Sequence, residues 1–119
     1  MLRKFKFDYD KENDSLFLYD PKVKSNASVE IDDLIIDFSS KKEISGIEIL
    51  NTSKFMKELD CEINLDKEML QSLTECKVDF VSKQNWLLMK LMFVFKSQQR
   101  FCTTLPIPTI REQSPAIIQ

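Results

Sequence analysis

Histidine is absent from this chain of 119 residues, which removes the usual general base near neutral pH and the commonest metal ligand. Ser-His and Cys-His nucleophile pairs are therefore excluded. Glycine occurs once, at Gly46, so neither a P-loop nor a dinucleotide fingerprint can form; both need several glycines to bring backbone amides up to phosphate. The longest apolar run, Trp86 to Phe95, is ten residues with Lys90 inside it, about half of what a membrane-spanning helix requires. The start, Met1-Leu2-Arg3-Lys4, runs straight into Phe5-Lys6-Phe7-Asp8 without the apolar segment of a secretory signal. A cytoplasmic protein with no membrane association is expected. The cysteines Cys61, Cys76 and Cys102 are odd in number and widely spaced, so they are read as small hydrophobes in a reducing compartment. No cofactor or bound metal is expected.

Apolar residues at 43% and charged residues at 30% are ordinary for a folded domain. The net charge of −2 is unevenly spread. Residues 1–75 carry seventeen acids against eleven bases, and residues 76–119 two against six. Such a split can steer two copies or two partners together.

Phe5, Phe7 and Tyr9 alternate with Lys4, Lys6 and Asp8, the period of a strand with one buried face. A polar turn at 10–14 and the apolar run Ser15–Tyr19 complete a β-hairpin, which Asp20-Pro21 closes. Residues 29–31 and 34–38 flank Asp32-Asp33 as a second hairpin, although the turn lacks the glycine of the strongest signal. Ile44 to Leu50 is a β-branched strand whose lone glycine predicts a bulge or a group lying close over the backbone. A short helix is predicted from Thr52 to Leu59. A second runs from Asn64 or Asp66 to about Leu73, with Leu65, Met69, Leu70 and Leu73 on one face. Residues 77–81, 86–96 and 101–105 read as a three-stranded meander, and the three prolines after it mark an extended tail. The expected fold is α+β: an antiparallel sheet of hairpins and a C-terminal three-stranded meander (77–105), with one or two short helices. A single domain is expected over 1–108, followed by a tail at 109–119.

Three segments, Tyr9 to Phe17, Asp33 to Phe38 and Gly46 to Ser53, resemble the small domain-of-unknown-function family numbered 2283, over roughly residues 5–55. Gly46-Ile47-Glu48-Ile49-Leu50-Asn51 is the most specific piece. The resemblance implies a compact antiparallel β unit followed by a helix, with no established activity.

Four constellations bear on function. Asp8, Asp10, Glu12 and Asp14 are spaced like the start of a calcium loop, but Asn13 and Tyr19 stand where it needs glycine and glutamate; a solvated turn is the expected reading. Asp37 and Glu48 lie on neighbouring strands, with Glu48 expected on the face of Ile44, Gly46 and Leu50, and could form a carboxylate pair. Trp86, Lys90, Lys96 and Arg100 mix aromatic and basic character as single-strand nucleic-acid surfaces do, yet a net acidic chain with no basic run argues against that partner. Finally, Leu87, Met89, Leu91, Phe93 and Phe95 form one apolar face, while Trp86, Leu88, Met92 and Val94 fill most of the other. That strand is expected to be covered on both sides, by a helix, a second sheet or a second subunit. No catalytic, cofactor or metal residue is assigned. The expected function is a non-enzymatic protein-interaction or structural module acting as a homodimer, with contact through 86–95. The alternatives are a carboxylate- and metal-dependent hydrolase using Asp37 and Glu48, or a nucleic-acid-binding sheet.

Overall fold

The computed structural model describes residues 2–59, 64–82 and 86–108. Their elements are β1 Arg3–Asp10, β2 Ser15–Tyr19, β3 Ala27–Ile31, β4 Leu34–Phe38, β5 Ile44–Ile49, α1 Thr52–Leu59, α2 Lys67–Gln71, β6 Leu73–Ser82, β7 Trp86–Phe95 and β8 Arg100–Pro108. The strands form an eight-stranded sheet in the order β3-β4-β5-β2-β1-β6-β7-β8, and every pairing is antiparallel. Two three-stranded meanders, β3–β5 and β6–β8, thus flank a central hairpin. The chain is richer in β structure than an α+β description implies, while the hairpins, the meander and the short helices are as expected.

The central strand β1 divides its partners. Lys6–Asp10 pairs with β2, whereas Arg3–Phe5 pairs with β6. Side chains from both halves of the sheet nevertheless join one buried cluster, including Leu16, Leu18, Ile36 and Ile47 from one half and Cys76, Met89, Leu91 and Phe93 from the other. Phe5, at the division of β1, is 2% exposed and belongs to it. Each large aliphatic or aromatic side chain so buried contributes about 1.5–3 kcal/mol.

Several sequence boundaries move. Helix α2 starts after Asp66, which caps its N-terminus by accepting from Met69 N at 2.8 Å, and ends at Gln71; Leu73 opens β6. Leu65, Leu70 and Leu73 are all buried, so the apolar spacing was a core signal shared by a helix and the strand after it. The ladder of β6 slips between Leu73 and Glu75, which re-aims Leu73 inward. Pro106 and Pro108 belong to β8 rather than to a tail. That strand lies at the edge of the sheet, where a missing amide hydrogen disrupts no ladder. The predicted tail at 109–119 and Cys61 lie outside the described residues. Cys76 is buried as expected, and burial pushes its thiol above the ordinary range. Cys102 is exposed, contrary to its reading as a small hydrophobe, because it faces outward on edge strand β8.

With a single glycine in the chain, left-handed turn positions fall to other residues: Asp14 (φ 53°), Asp32 (51°), Lys42 (65°), Asn51 (47°) and Gln98 (71°). Asp and Asn tolerate that region; lysine and glutamine pay about 1–2 kcal/mol for it. Asp14 does more than turn the first hairpin. Its carboxylate accepts from the Tyr9 hydroxyl at 2.6 Å, from the Ser53 hydroxyl at 2.6 Å and from Ser53 N at 3.1 Å. Its carbonyl accepts from Thr52 N at 2.8 Å. It therefore caps α1 from thirty-nine residues away and places a negative charge at the positive end of the helix. Burial, and then the bond to Asp14, push the Tyr9 phenol above its ordinary range.

Two outcomes are expected. Asp14→Ala costs about 3 kcal/mol by urea unfolding, because it strands the Tyr9 and Ser53 donors and places alanine at a positive φ; Asp14→Asn costs about half as much. Gln98→Gly, by contrast, raises stability by about 0.5–1 kcal/mol, since it relieves left-handed strain in an exposed turn.

Candidate functional site

The solvent side of the β3-β4-β5-β2-β1 half carries two rows of residues in cross-strand register. One runs Ser28, Asp37, Gly46, Tyr19, Lys6 and the next Glu30, Ile35, Glu48, Phe17, Asp8. Gly46 is at the centre of the first. A Cβ built there would meet Asp37 Oδ2 at 3.0 Å, Leu18 O at 3.3 Å and Phe17 Cε1 at 3.4 Å. Its φ is not positive, so what the position demands is space: the Asp37 carboxylate and the Phe17 ring lie over the bare backbone. The ladder also slips beside it, where Asp37 pairs with Gly46 but Phe38 with Ile44. Both readings of the lone glycine, bulge and close approach, therefore hold together.

The bulge corrects one expectation. Strict alternation put Ile44 on the face of Glu48, but the extra residue Ser45 turns Ile44 inward, where it is 5% exposed. Asp37 and Glu48 do share the outer face, as diagonal neighbours on β4 and β5. Each is held by a serine: Ser28 Oγ donates to Asp37 at 2.5 Å, and Ser15 Oγ to Glu48 at 3.5 Å. Among the described residues, no three acidic or cysteine side chains gather as a metal-ligand group. The acids of the first turn are engaged locally: Asp10 accepts from Asn13, a bond that lowers its pKa, and Asp14 is buried.

Next to this face lies a feature that the sequence did not disclose. Where β1 changes partners, an open groove of about 590 Å³ is lined by Arg3, Lys4, Phe5, Lys6, Phe7, Tyr19, Asp20, Pro21 and Lys22. Arg3 is its fixed cation. It donates to Asp20 at 2.5 Å, reaches Ile44 O at 3.5 Å and lies 5.0 Å over the Phe5 ring. The guanidinium bond holds the Asp20 carboxyl below its usual range, with help from Lys22 N. Tyr19 in the groove wall stacks on Phe17, with centroids 5.2 Å apart at 20°, and Phe17 is 38% exposed. Only the strand order shows that Lys6 lies beside Tyr19.

On the far half, the residues proposed from sequence for nucleic acid do not converge. Trp86 pairs with Pro108 at one end of β7, while Arg100 pairs with Val94 at the other, and Lys96 lies in the turn beyond. The two faces of β7 also differ. Met89, Leu91, Phe93 and Phe95 are buried, whereas Leu88, Met92 and Val94 are half-buried and Trp86 is 39% exposed. The expected double burial is thus met within the chain on one face only.

The model of a family described as "Protein of unknown function (DUF2283)" matches residues 6–53, which are the central hairpin from Lys6, the β3–β5 meander and the start of α1. A protein of Methanosarcina mazei named "Putative hypoxanthine phosphoribosyltransferase" is 37% identical over 93 residues, covering 76% of this chain and 69% of that protein. The chain belongs to the DUF2283 family. An uncharacterised protein of Methanocaldococcus jannaschii is 42% identical over 71 residues, 59% of this chain and 55% of that protein. This chain thus spans little more than half of the M. jannaschii relative and about two thirds of the M. mazei one. No solved structure matches it. The three segments that carried the family resemblance in the sequence meet in space: Asp14 accepts from both Tyr9 and Ser53, Asp33 O accepts from Leu50 N at 2.8 Å, and Asp37 covers Gly46.

Gly46→Val is expected to cost about 1–3 kcal/mol, read as a lower melting temperature, because the Leu18 carbonyl is backbone and cannot swing away. Asp37→Ala in the same chain should recover part of that loss, since the carboxylate is the closest and most movable of the three obstacles.

Proposed function

We propose that the protein is a non-enzymatic interaction module acting as a homodimer through the outer face of β6–β8. The observation that carries this reading is the half-exposed apolar column Trp86, Leu88, Met92 and Val94 along β7, flanked by Val81 on β6 and Pro106 on β8. Monomeric proteins rarely leave a contiguous patch of this kind uncovered.

A second copy suits the face because its charges are self-complementary. Glu75, Val94 and Arg100 lie in one cross-strand row. A twofold axis along β7 sets β6 of one copy over β8 of the other, so Glu75 faces Arg100 of the second copy and the apolar column meets itself. Lys90 is the one charge in that column, and Asp79 stands across from it on β6. Three strands of nine or ten residues present about 33 by 15 Å, or roughly 1,000 Å² in total for two copies, the lower end of specific interfaces. The dimer is therefore expected to hold at micromolar concentration and to dissociate on dilution.

The transfer reaction in the name of the M. mazei relative is not extended to this chain. A carboxylate hydrolase at Asp37 and Glu48 lacks a third ligand among the described residues.

Light scattering coupled to size exclusion tests the dimer. At tens of micromolar the expected mass is twice the 14.0 kDa of the chain, and Met92→Glu should return it to monomer with an unchanged circular dichroism spectrum. A monomeric wild-type protein would end the proposal. Leu91 and Phe93 are unsuited to this test: they are 1% and 0% exposed, and a charge at either would unfold the core.

A further inference from the structure

We propose that the groove beside β1 binds a nucleoside monophosphate, with the phosphate at the basic rim and the base on the Tyr19–Phe17 stack. This site meets the dimer face at the Lys4–Glu75 ion pair but does not rest on the dimer reading.

The groove's volume of about 590 Å³ lies within the range of small-ligand sites, roughly 300–1,000 Å³. Its rim carries four cations, Arg3, Lys4, Lys6 and Lys22, against the single acid Asp20. Arg3 is held in place by Asp20 and the Phe5 ring, yet its side chain keeps 36% exposure, so unused guanidinium donors remain for an oxyanion. Lys4 is only loosely paired, 3.7 Å from Glu75 and 70% exposed. Lys6 and Lys22 take part in no ion pair among the described residues. A phosphate dianion is the compact charge that several flexible lysines and one fixed arginine can share.

The surface beyond the rim selects what the phosphate is attached to. Tyr19 lies in the wall, and its stack extends to the exposed Phe17 ring, about 7 Å along the strand. Planar bases gain from such a platform. On either side of Phe17 in register are Asp8 and Glu48, acceptors for the exocyclic amino group of adenine, guanine or cytosine. The same two carboxylates repel a second phosphate beyond the stack. An acidic peptide or a long single strand would extend its charge into them. Cation, aromatic and carboxylate thus follow one another in the order of a single amino-bearing nucleotide.

Titrations followed by backbone NMR shifts at low salt, with AMP, inorganic phosphate, a short single-stranded oligonucleotide and an oligoglutamate as separate probes, test the assignment. AMP should perturb residues 3–7 and 17–22 and bind at least tenfold tighter than inorganic phosphate. The exposed pair Lys6→Ala with Lys22→Ala should weaken AMP tenfold or more. Phe17→Ala should weaken AMP and leave inorganic phosphate unchanged. The proposal is overturned if AMP causes no shifts at millimolar concentration, if Phe17→Ala leaves AMP binding intact, or if the oligonucleotide or oligoglutamate binds tighter than AMP.

Discussion

The carboxylate of Asp14 is the contact through which the N-terminal half of the sheet is organised. It lies in the turn between β1 and β2, is 8% exposed, and spends its lone pairs on Tyr9 within its own hairpin and on Ser53 at the head of α1. A buried charge is costly unless every acceptor position finds a donor, and here backbone amide, serine hydroxyl and phenol supply them. The consequence is positional. With α1 fixed to the first turn, the β5–α1 junction must end beside β2, and β2 pairs with β5 although β3 and β4 intervene in the chain. Thr52, fully buried, adds to the same junction: its hydroxyl lies 2.7 Å from the Ile49 carbonyl and 3.0 Å from that of Asp14.

This network also explains why a family resemblance could be recognised in short separated segments. Tyr9 to Ser15, Asp33 and Asn51 to Ser53 are turn and cap residues whose chemistry is specific. Of the strand residues, Gly46 is as specific, because Asp37 and Phe17 lie over its bare backbone. Asn51 holds a φ of 47° that asparagine tolerates, and its side-chain amide donates to Asp33 at 3.4 Å.

Local pattern was legible where one residue's environment follows from its neighbours. The two-residue period gave the first strand, Asp66 proved to be the cap of the two candidates with Asn64, and the lone glycine in a β-branched run pointed to a crowded backbone. What remained illegible was tertiary in origin. No periodicity reveals that β1 changes partner at Lys6, so the groove made from residues 3–7 and 19–22 could not be anticipated. Nor does alternation survive a bulge: Ser45 reversed the facing of Ile44, and the slip near Leu73 let a strand residue continue the apolar spacing of a helix. The pairing of Asp37 with Glu48 was right as to face and incomplete as to partners, because serine hydroxyls from Ser28 and Ser15 leave no trace in a search for charged groups.

The scarcity of glycine ties these observations together. A chain of hairpins ordinarily spends glycine on turns, yet this one places its single glycine mid-strand and leaves the left-handed turns to Asp14, Asp32, Lys42, Asn51 and Gln98. Aspartate at such a position loses little conformational energy and brings a carboxylate to the turn. Asp14 uses that carboxylate to cap a helix, which glycine could not do. Gly46, in turn, has neighbours for which no side chain leaves room: Phe17 and Asp37 both close over its backbone because it is bare. The outer face of the N-terminal half, with its aromatic stack, its carboxylates and the cations of the adjoining groove, is therefore shaped by where glycine is spent as much as by the residues that carry charge.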